Sequence, residues 1–113
     1  GANGKGDIVS FSAYDDSVVN STIFVGSVCV QLFYGQLHIK YVYIEPSYRD
    51  AGIGTKLMQM AFDYGRLHQC TFAFVETMSF QAPNFYQKLV FTLEFTRPGF
   101  VKDISYHYLK CNL

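Results

Sequence analysis

The chain has 113 residues, half of them hydrophobic and 18% aromatic, with nine basic residues balancing nine acidic ones. This composition suits a single domain around one core and excludes a disordered chain. The neutral balance removes the bulk electrostatic attraction that nucleic acid or an anionic membrane would exploit, so neither is expected as a partner.

The leading residues "GANGKGD" contain no apolar stretch of the kind a secretory signal needs. Residues 1–6 are expected to be a flexible lead, and 7–113 a single domain. No apolar run reaches the roughly 18 residues of a membrane span. Cys29, Cys70 and Cys111 are odd in number, far apart and free of any C-x-x-C pair. They suggest neither a zinc site nor a disulfide framework. A reducing cytoplasm is the expected location.

"DIVSFSAY" (Asp7 to Tyr14) reads as a first strand, and "DDSVVNS" turns the chain. "TIFVGSVCVQLFY" (Thr22 to Tyr34) is a long β-branched and aromatic strand, whose Gly26 marks a bulge or a close approach. Gly35 turns the chain into "LHIKYVYI" (Leu37 to Ile44). Short connections predict an antiparallel meander of these three strands. After Pro46 the period changes. Leu57, Ala61 and Tyr64 recur at helical spacing, with Met60 and Leu67 beside them and Gly65 near the helix end.

"QCTFAFVE" (Gln69 to Glu76) is apolar on both faces, which suits a buried parallel strand after a right-handed crossover. "APNFYQKL" reads as a short helix with Pro83 in its first turn. "FTLEF" alternates, with Phe91, Leu93 and Phe95 expected on one face. Pro98-Gly99 is expected to break the chain. "DISYHYLK" closes it as a strand with Ile104, Tyr106 and Tyr108 on one face. The order β-β-β-α-β-α-β-β defines an α+β fold.

"YRDAGIGTKL" places Arg49, Gly52 and Gly54 directly before the helix. A glycine-bearing turn that opens a helix converges several N–H groups on the positive end of the helix dipole, and so can hold a phosphate. Taken alone, such a turn is more often an ordinary helix start. It is neither a Walker loop, lacking Gly-Lys-Thr/Ser, nor the dinucleotide fingerprint, because Leu57 stands where a third glycine is required.

"YIEPSYRDAGIGTKLM" (Tyr43 to Met58) resembles motif A of the GNAT N-acetyltransferase superfamily: a hydrophobic strand, a proline, then R-x-x-G-x-G opening a helix. "SFQAPNFYQKLVF" (Ser79 to Phe91) resembles its motif B region, A-x-x-F-Y-x-K-x-G-F. The two motifs stand in the family's order, and "VETMSFQAPNFYQKL" is similar to a group of small bacterial members. The resemblance spans Val25 to Leu113 and, more loosely, the chain from Asp7.

The resemblance implies a GNAT-like mixed sheet and acetyl-CoA-dependent transfer of an acetyl group to a small or peptidic primary amine, by direct attack on the thioester. It implies that Val42, Tyr43 and Ile44 pair with the pantetheine arm. The amides of Arg49, Asp50, Ala51, Gly52, Ile53 and Gly54 would hold the pyrophosphate, with Thr55 as a side-chain donor. Tyr86 stands at the family's general-acid position, although by spacing it is a core aromatic. Glu76 at its strand end is the first candidate base, or else a rim carboxylate; His38 is a weaker candidate. No metal is implied.

The chain departs from the family at four places. Arg49-Asp50-Ala51-Gly52 replaces R-G-K-G, which puts an acid near the phosphates. Ser79 stands where an asparagine often helps hold the cofactor. Val90 replaces the glycine of K-x-G-F. A strand and two helices that usually wall the acceptor site are expected to lack a counterpart before the first strand. These departures favour, as alternatives, a degenerate acyl-CoA-binding or interaction module. Single-stranded nucleic acid stacking on Tyr41 and Tyr106 is a third reading, opposed by the neutral charge and the βαβ order. High apolar content predicts a homodimer, with Thr22 to Tyr34 and Ile104 to Lys110 as contributing strands.

Overall fold

The computed structural model describes residues 4–78, 83–89, 91–101 and 104–113. Six strands, β1 (Lys5–Asp15), β2 (Ile23–Phe33), β3 (Gln36–Ile44), β4 (Phe72–Met78), β5 (Thr92–Val101) and β6 (Ile104–Asn112), form one sheet in the order β1-β2-β3-β4-β6-β5. Helix α1 (Ile53–Leu67) joins β3 to β4, and α2 (Pro83–Lys88) follows β4. Among the described residues only β3 and β4 pair in parallel. Ser79 and Val90 lie outside the described residues.

Helix α1 forms because its buried residues, Leu57, Met58, Ala61, Phe62 and Gly65, recur on one stripe. The sequence reading placed Met60 and Leu67 beside that stripe, but both are exposed and Met58 and Phe62 take the inner positions. The stripe packs on Val28, Val30, Leu32, Leu37, Ile39 and Val75, an aliphatic face of the sheet. Tyr86 and Phe91 join the same core; the Phe91 ring lies 5.8 Å from that of Phe62. Both helices therefore cover one face.

The other face carries aromatic side chains in a row across the strands. His38 stacks on Phe74 at 4.5 Å, Phe74 on Tyr108 at 5.6 Å, and Tyr108 on Phe95 at 5.1 Å. Among the described residues no helix covers this row. The thinnest dimension of the molecule, 21 Å, is that of one helix layer on one sheet.

Irregularities in the register decide where side chains point. The register shifts between Ala13 and Tyr14 against Gly26 and Phe24, beside a glycine whose Cβ would lie 2.7 Å from the Tyr43 carbonyl oxygen. In β3 the pairing jumps from Cys29–Tyr41 to Val30–Ile39, so Lys40 is an extra residue. In β5 Leu93 faces Leu109 and Phe95 faces Tyr108, so Glu94 is extra and Phe95 turns to the face opposite Leu93. That overturns the expected shared face of Phe91, Leu93 and Phe95. Pro98-Gly99 does not end its strand: β5 is an edge strand, where the proline's missing N–H costs no ladder bond, and the register shifts across it. The sheet's edges belong to β1 and β5, so β2 and β6, expected to offer open edges for a dimer, have aromatic faces but no open edge.

Candidate active site

The parallel ladder between β3 and β4 lasts only from Leu37–Ala73 to Ile39–Val75. Beyond it the Lys40 bulge swings β3 away, and the two strands separate toward their C-terminal ends. The Glu45 N–H donates to the Val25 carbonyl at 2.8 Å. Backbone direction alternates along a strand, so Tyr41 and Tyr43 also face β2, while Val42 and Ile44 turn their polar groups into the gap. Side chains meet two of these groups. The Val42 N–H donates to the Tyr86 hydroxyl oxygen, and Arg49 Nε donates to the Ile44 carbonyl at 3.2 Å. Among the described residues, the Val42 carbonyl and the Ile44 N–H remain as an acceptor and a donor on one strand edge, outside any strand ladder.

After β3, the 3-10 turn Pro46–Tyr48 leads to Arg49 and then to a tight turn. Asp50 and Gly52 both adopt positive φ, 64° and 80°. Gly52 caps α1 in the left-handed conformation, and a Cβ there would meet nothing within 4 Å. The first helical bond runs from the Lys56 N–H to the Gly52 carbonyl. The N–H groups of Ile53, Gly54 and Thr55 precede it and have no intrahelical partner. They point to the positive end of a 15-residue helix that has no acidic residue in its first turn.

These parts enclose a cleft of about 370 Å³ lined by Val42, Tyr43, Ile44, Tyr48, Arg49, Asp50, Gly52, Ile53, Gly54 and Tyr86. Ala51 and the Thr55 side chain lie outside its lining; Thr55 borders a groove between α1 and α2. Tyr48 belongs to the cleft and was missed in the sequence, where it reads as a turn residue before the glycines. Tyr86 is both things the sequence allowed: a buried core member in edge contact with Phe91, and a cleft wall. Burial pushes its phenol pKa up, and the Val42 amide partly offsets this.

Glu76 does not line this cleft. It sits on β4 just past the last parallel pair, on the face opposite the helices. Tyr106 donates its hydroxyl to Glu76 Oε2, and His38 Nε2 lies 3.5 Å from Oε1. Burial lowers the His38 pKa; Lys40 adds to the effect and Glu76 opposes it. Burial, and then the Glu76 carboxylate, push the Tyr106 phenol up. His68 and His107 are elsewhere: His68 ends α1, and His107 lies 2.9 Å from Thr96 Oγ1. Among the described residues no cluster of His, Cys, Asp or Glu could hold a metal ion.

A sheet that splays beside a helix start with free amides is the arrangement of a nucleotide-derived cofactor site on an α/β unit. The family model described as "Acetyltransferase (GNAT) family" matches residues 4–91, and the chain belongs to that family. The family uses acetyl-CoA. Blasticidin-S acetyltransferase of Streptomyces morookaense is 34% identical over 74 residues, which are 65% of this chain and 54% of that protein. The chain thus spans about half the length of this curated relative. An acetyltransferase from Bacillus cereus shares the fold with a TM-score of 0.82 at 22% identity, over 98% of this chain and 76% of that one. A Bacillus anthracis structure in complex with acetyl coenzyme A matches with a TM-score of 0.73 at 18% identity, over 80% of this chain and 57% of that one. No helix among the described residues is long and apolar enough to cross a membrane.

Proposed function

We propose that the chain transfers an acetyl group from acetyl-CoA to a primary amine by direct attack on the thioester. The observation that carries this reading is the β3–β4 gap, with Tyr86 at its wall and the α1 N-terminus at its mouth. The cofactor supplies an activated acetyl thioester. The amides of Ile53, Gly54 and Thr55, with the helix dipole behind them, suit its pyrophosphate. The Val42 carbonyl and Ile44 N–H suit a pantetheine amide, as one strand edge pairs with another. Gly52 leaves the loop backbone open to close approach.

Tyr86 is assigned as general acid, giving its proton to the departing thiolate. Its raised pKa keeps the phenol protonated at neutral pH. Glu76 is assigned as the group that takes the proton from the amine, reached from the open face. Ser79 is retained as a cofactor contact on the motif resemblance alone. The name of the curated relative makes blasticidin S the first acceptor to test.

We further propose that a second copy covers the open aromatic face in a two-fold dimer, and that the protein works in the cytoplasm, where its three free thiols stay reduced. A light-scattering mass of one chain, 12.9 kDa, would sink the dimer.

Thermal unfolding with and without acetyl-CoA tests the main reading. Ligand at about 100 times its dissociation constant adds about 2.7 kcal/mol, a rise on the order of 10 °C for a domain of this size. No rise at millimolar ligand removes it. The acid Asp50 in the loop favours an alternative, an acyl-CoA-binding module without transfer. Binding with no acetylation of any of a panel of amines would select that alternative.

A further inference from the structure

We propose that Asp15, at the far end of β1, is a positioning residue for the cofactor cleft: its carboxylate holds the Tyr48 ring in place as a cleft wall and thereby fixes the loop from Arg49 to Gly54. The inference rests on the cofactor reading above, and adds a residue that does not itself line the cleft.

The Tyr48 hydroxyl donates to Asp15 Oδ2 at 2.6 Å, across 33 residues of sequence. Asp15 Oδ1 accepts from the Ser17 N–H at 2.9 Å and from the Ser17 hydroxyl at 2.6 Å. Three donors thus converge on one carboxylate. They hold its pKa down at about 2, with the Ser17 hydroxyl as the largest cause, so the group is charged at every physiological pH. A short bond from a phenol to an ionised carboxylate is of the strong, charge-assisted kind.

The ring needs such a tie because it has space on both sides. Tyr48 lines the cofactor cleft of about 370 Å³ and also a groove of about 530 Å³ between β1 and α1, bordered by Asp15, Val25, Lys56 and Met60. Tyr48 also packs against the core, and the Asp15 bond fixes where the side chain stands between the two spaces. The loop that follows holds Asp50, a residue with a Cβ, at positive φ, and such backbone persists only where its surroundings over-determine it. Its other fastenings are local: the Tyr48 N–H donates to the Glu45 carbonyl, and Arg49 Nε to the Ile44 carbonyl. The Asp15 bond connects it to β1, at the edge of the sheet.

Calorimetric titration of acetyl-CoA into the parent chain, Asp15→Ala, Tyr48→Phe, the double variant and Asp15→Asn is the test. Asp15→Ala and Tyr48→Phe are each expected to weaken binding about tenfold, the scale of a hydrogen bond to a charged group. The double variant should lose no more than either single one, because both remove the same bond. Asp15→Asn keeps an acceptor for the phenol and should retain most of the affinity. For Asp15→Ala and Asp15→Asn, turnover at saturating acetyl-CoA should stay within about twofold, since Asp15 orders the site before binding and touches no reacting atom. Unchanged affinity, additive losses, or a fall in the turnover of these Asp15 variants at saturation would each overturn the proposal. If Asp15→Ala does not fold, Tyr48→Phe and Asp15→Asn decide. If the parent binds no acetyl-CoA, the cofactor reading fails separately. Amide exchange across 47–52 then tests the tie alone: faster exchange in Tyr48→Phe supports it, and equal exchange overturns it.

Discussion

The two faces of the sheet solve the problem of burial differently. Under the helices the central side chains of the sheet are aliphatic and fully enclosed: Val28, Leu37, Ala73 and Leu109 have no exposed surface. On the opposite face the row is aromatic and encloses itself. Phe74 is only 6% exposed although no described helix lies over it, because His38 and Tyr108 stack against it. Flat rings can tile an open surface and still bury one another, whereas branched aliphatic chains need a second layer to close over them. The same division separates the chemistry. The cofactor cleft opens among the core residues, and the titratable set of His38, Glu76 and Tyr106 lies among the rings.

Several substitutions would break or sharpen this contrast. The largest effect is expected at Leu57, fully buried at the centre of the α1 stripe. Leu57→Ala should cost about 2–5 kcal/mol in chemical denaturation, and a smaller cost would mean that the covered face can collapse around the cavity. Tyr86→Phe keeps the core ring but removes the hydroxyl held at Val42. Turnover is expected to fall by about a hundredfold with acetyl-CoA affinity nearly unchanged. Equal turnover in single-turnover kinetics would leave Tyr86 a core residue alone.

Gly52→Val places a branched side chain at φ 80°, where nothing within 4 Å clashes but the backbone itself resists. Strain of about 1–3 kcal/mol should appear as weaker acetyl-CoA binding in a domain that still folds. Undiminished binding would mean that the turn serves the chain alone.

Phe95→Ala acts on the open face, at a ring that is 47% exposed. The cost at low protein concentration should stay below about 1 kcal/mol, and a larger loss that grows with protein concentration marks a face covered by a second copy.

The smallest effect concerns pH. The folded protein lowers the His38 pKa below its ordinary value of 6.5, chiefly by burial. The unfolded chain therefore binds the proton more readily, and the stability is present above pH 6.5 and lost as the pH falls through that region. His38→Asn should flatten the stability profile between about pH 7 and pH 5. A profile parallel to that of the parent would assign the acid sensitivity to other groups.

What could be read without coordinates was what is written locally. The alternation of the strands, the 3.6 period after Pro46, the apolar run of β4 and the order of the two motifs depend on residues close together in the chain. They were sufficient for the element order and for the family. Tyr48 had no local signal, because its value lies in a hydrogen bond to a strand that ends 33 residues earlier. The shared face assigned to Phe91, Leu93 and Phe95 failed for a related reason. A strict two-residue period assumes no bulge, and the extra residue at Glu94 exists only against its partner strand β6. In the same way the Lys40 bulge, which opens the gap between β3 and β4, is visible only once β2 supplies a register.

By itself the sequence determined the elements, their order and the kind of loop that opens α1, since periodicity, turn chemistry and helix capping act over a few residues. Only the tertiary structure decided that Tyr86 meets Val42, that Glu76 faces away from the cleft toward His38 and Tyr106, and that no described helix lies over one face of the sheet. Those outcomes depend on cross-strand register, and a shift of one residue in register turns every following side chain to the other face.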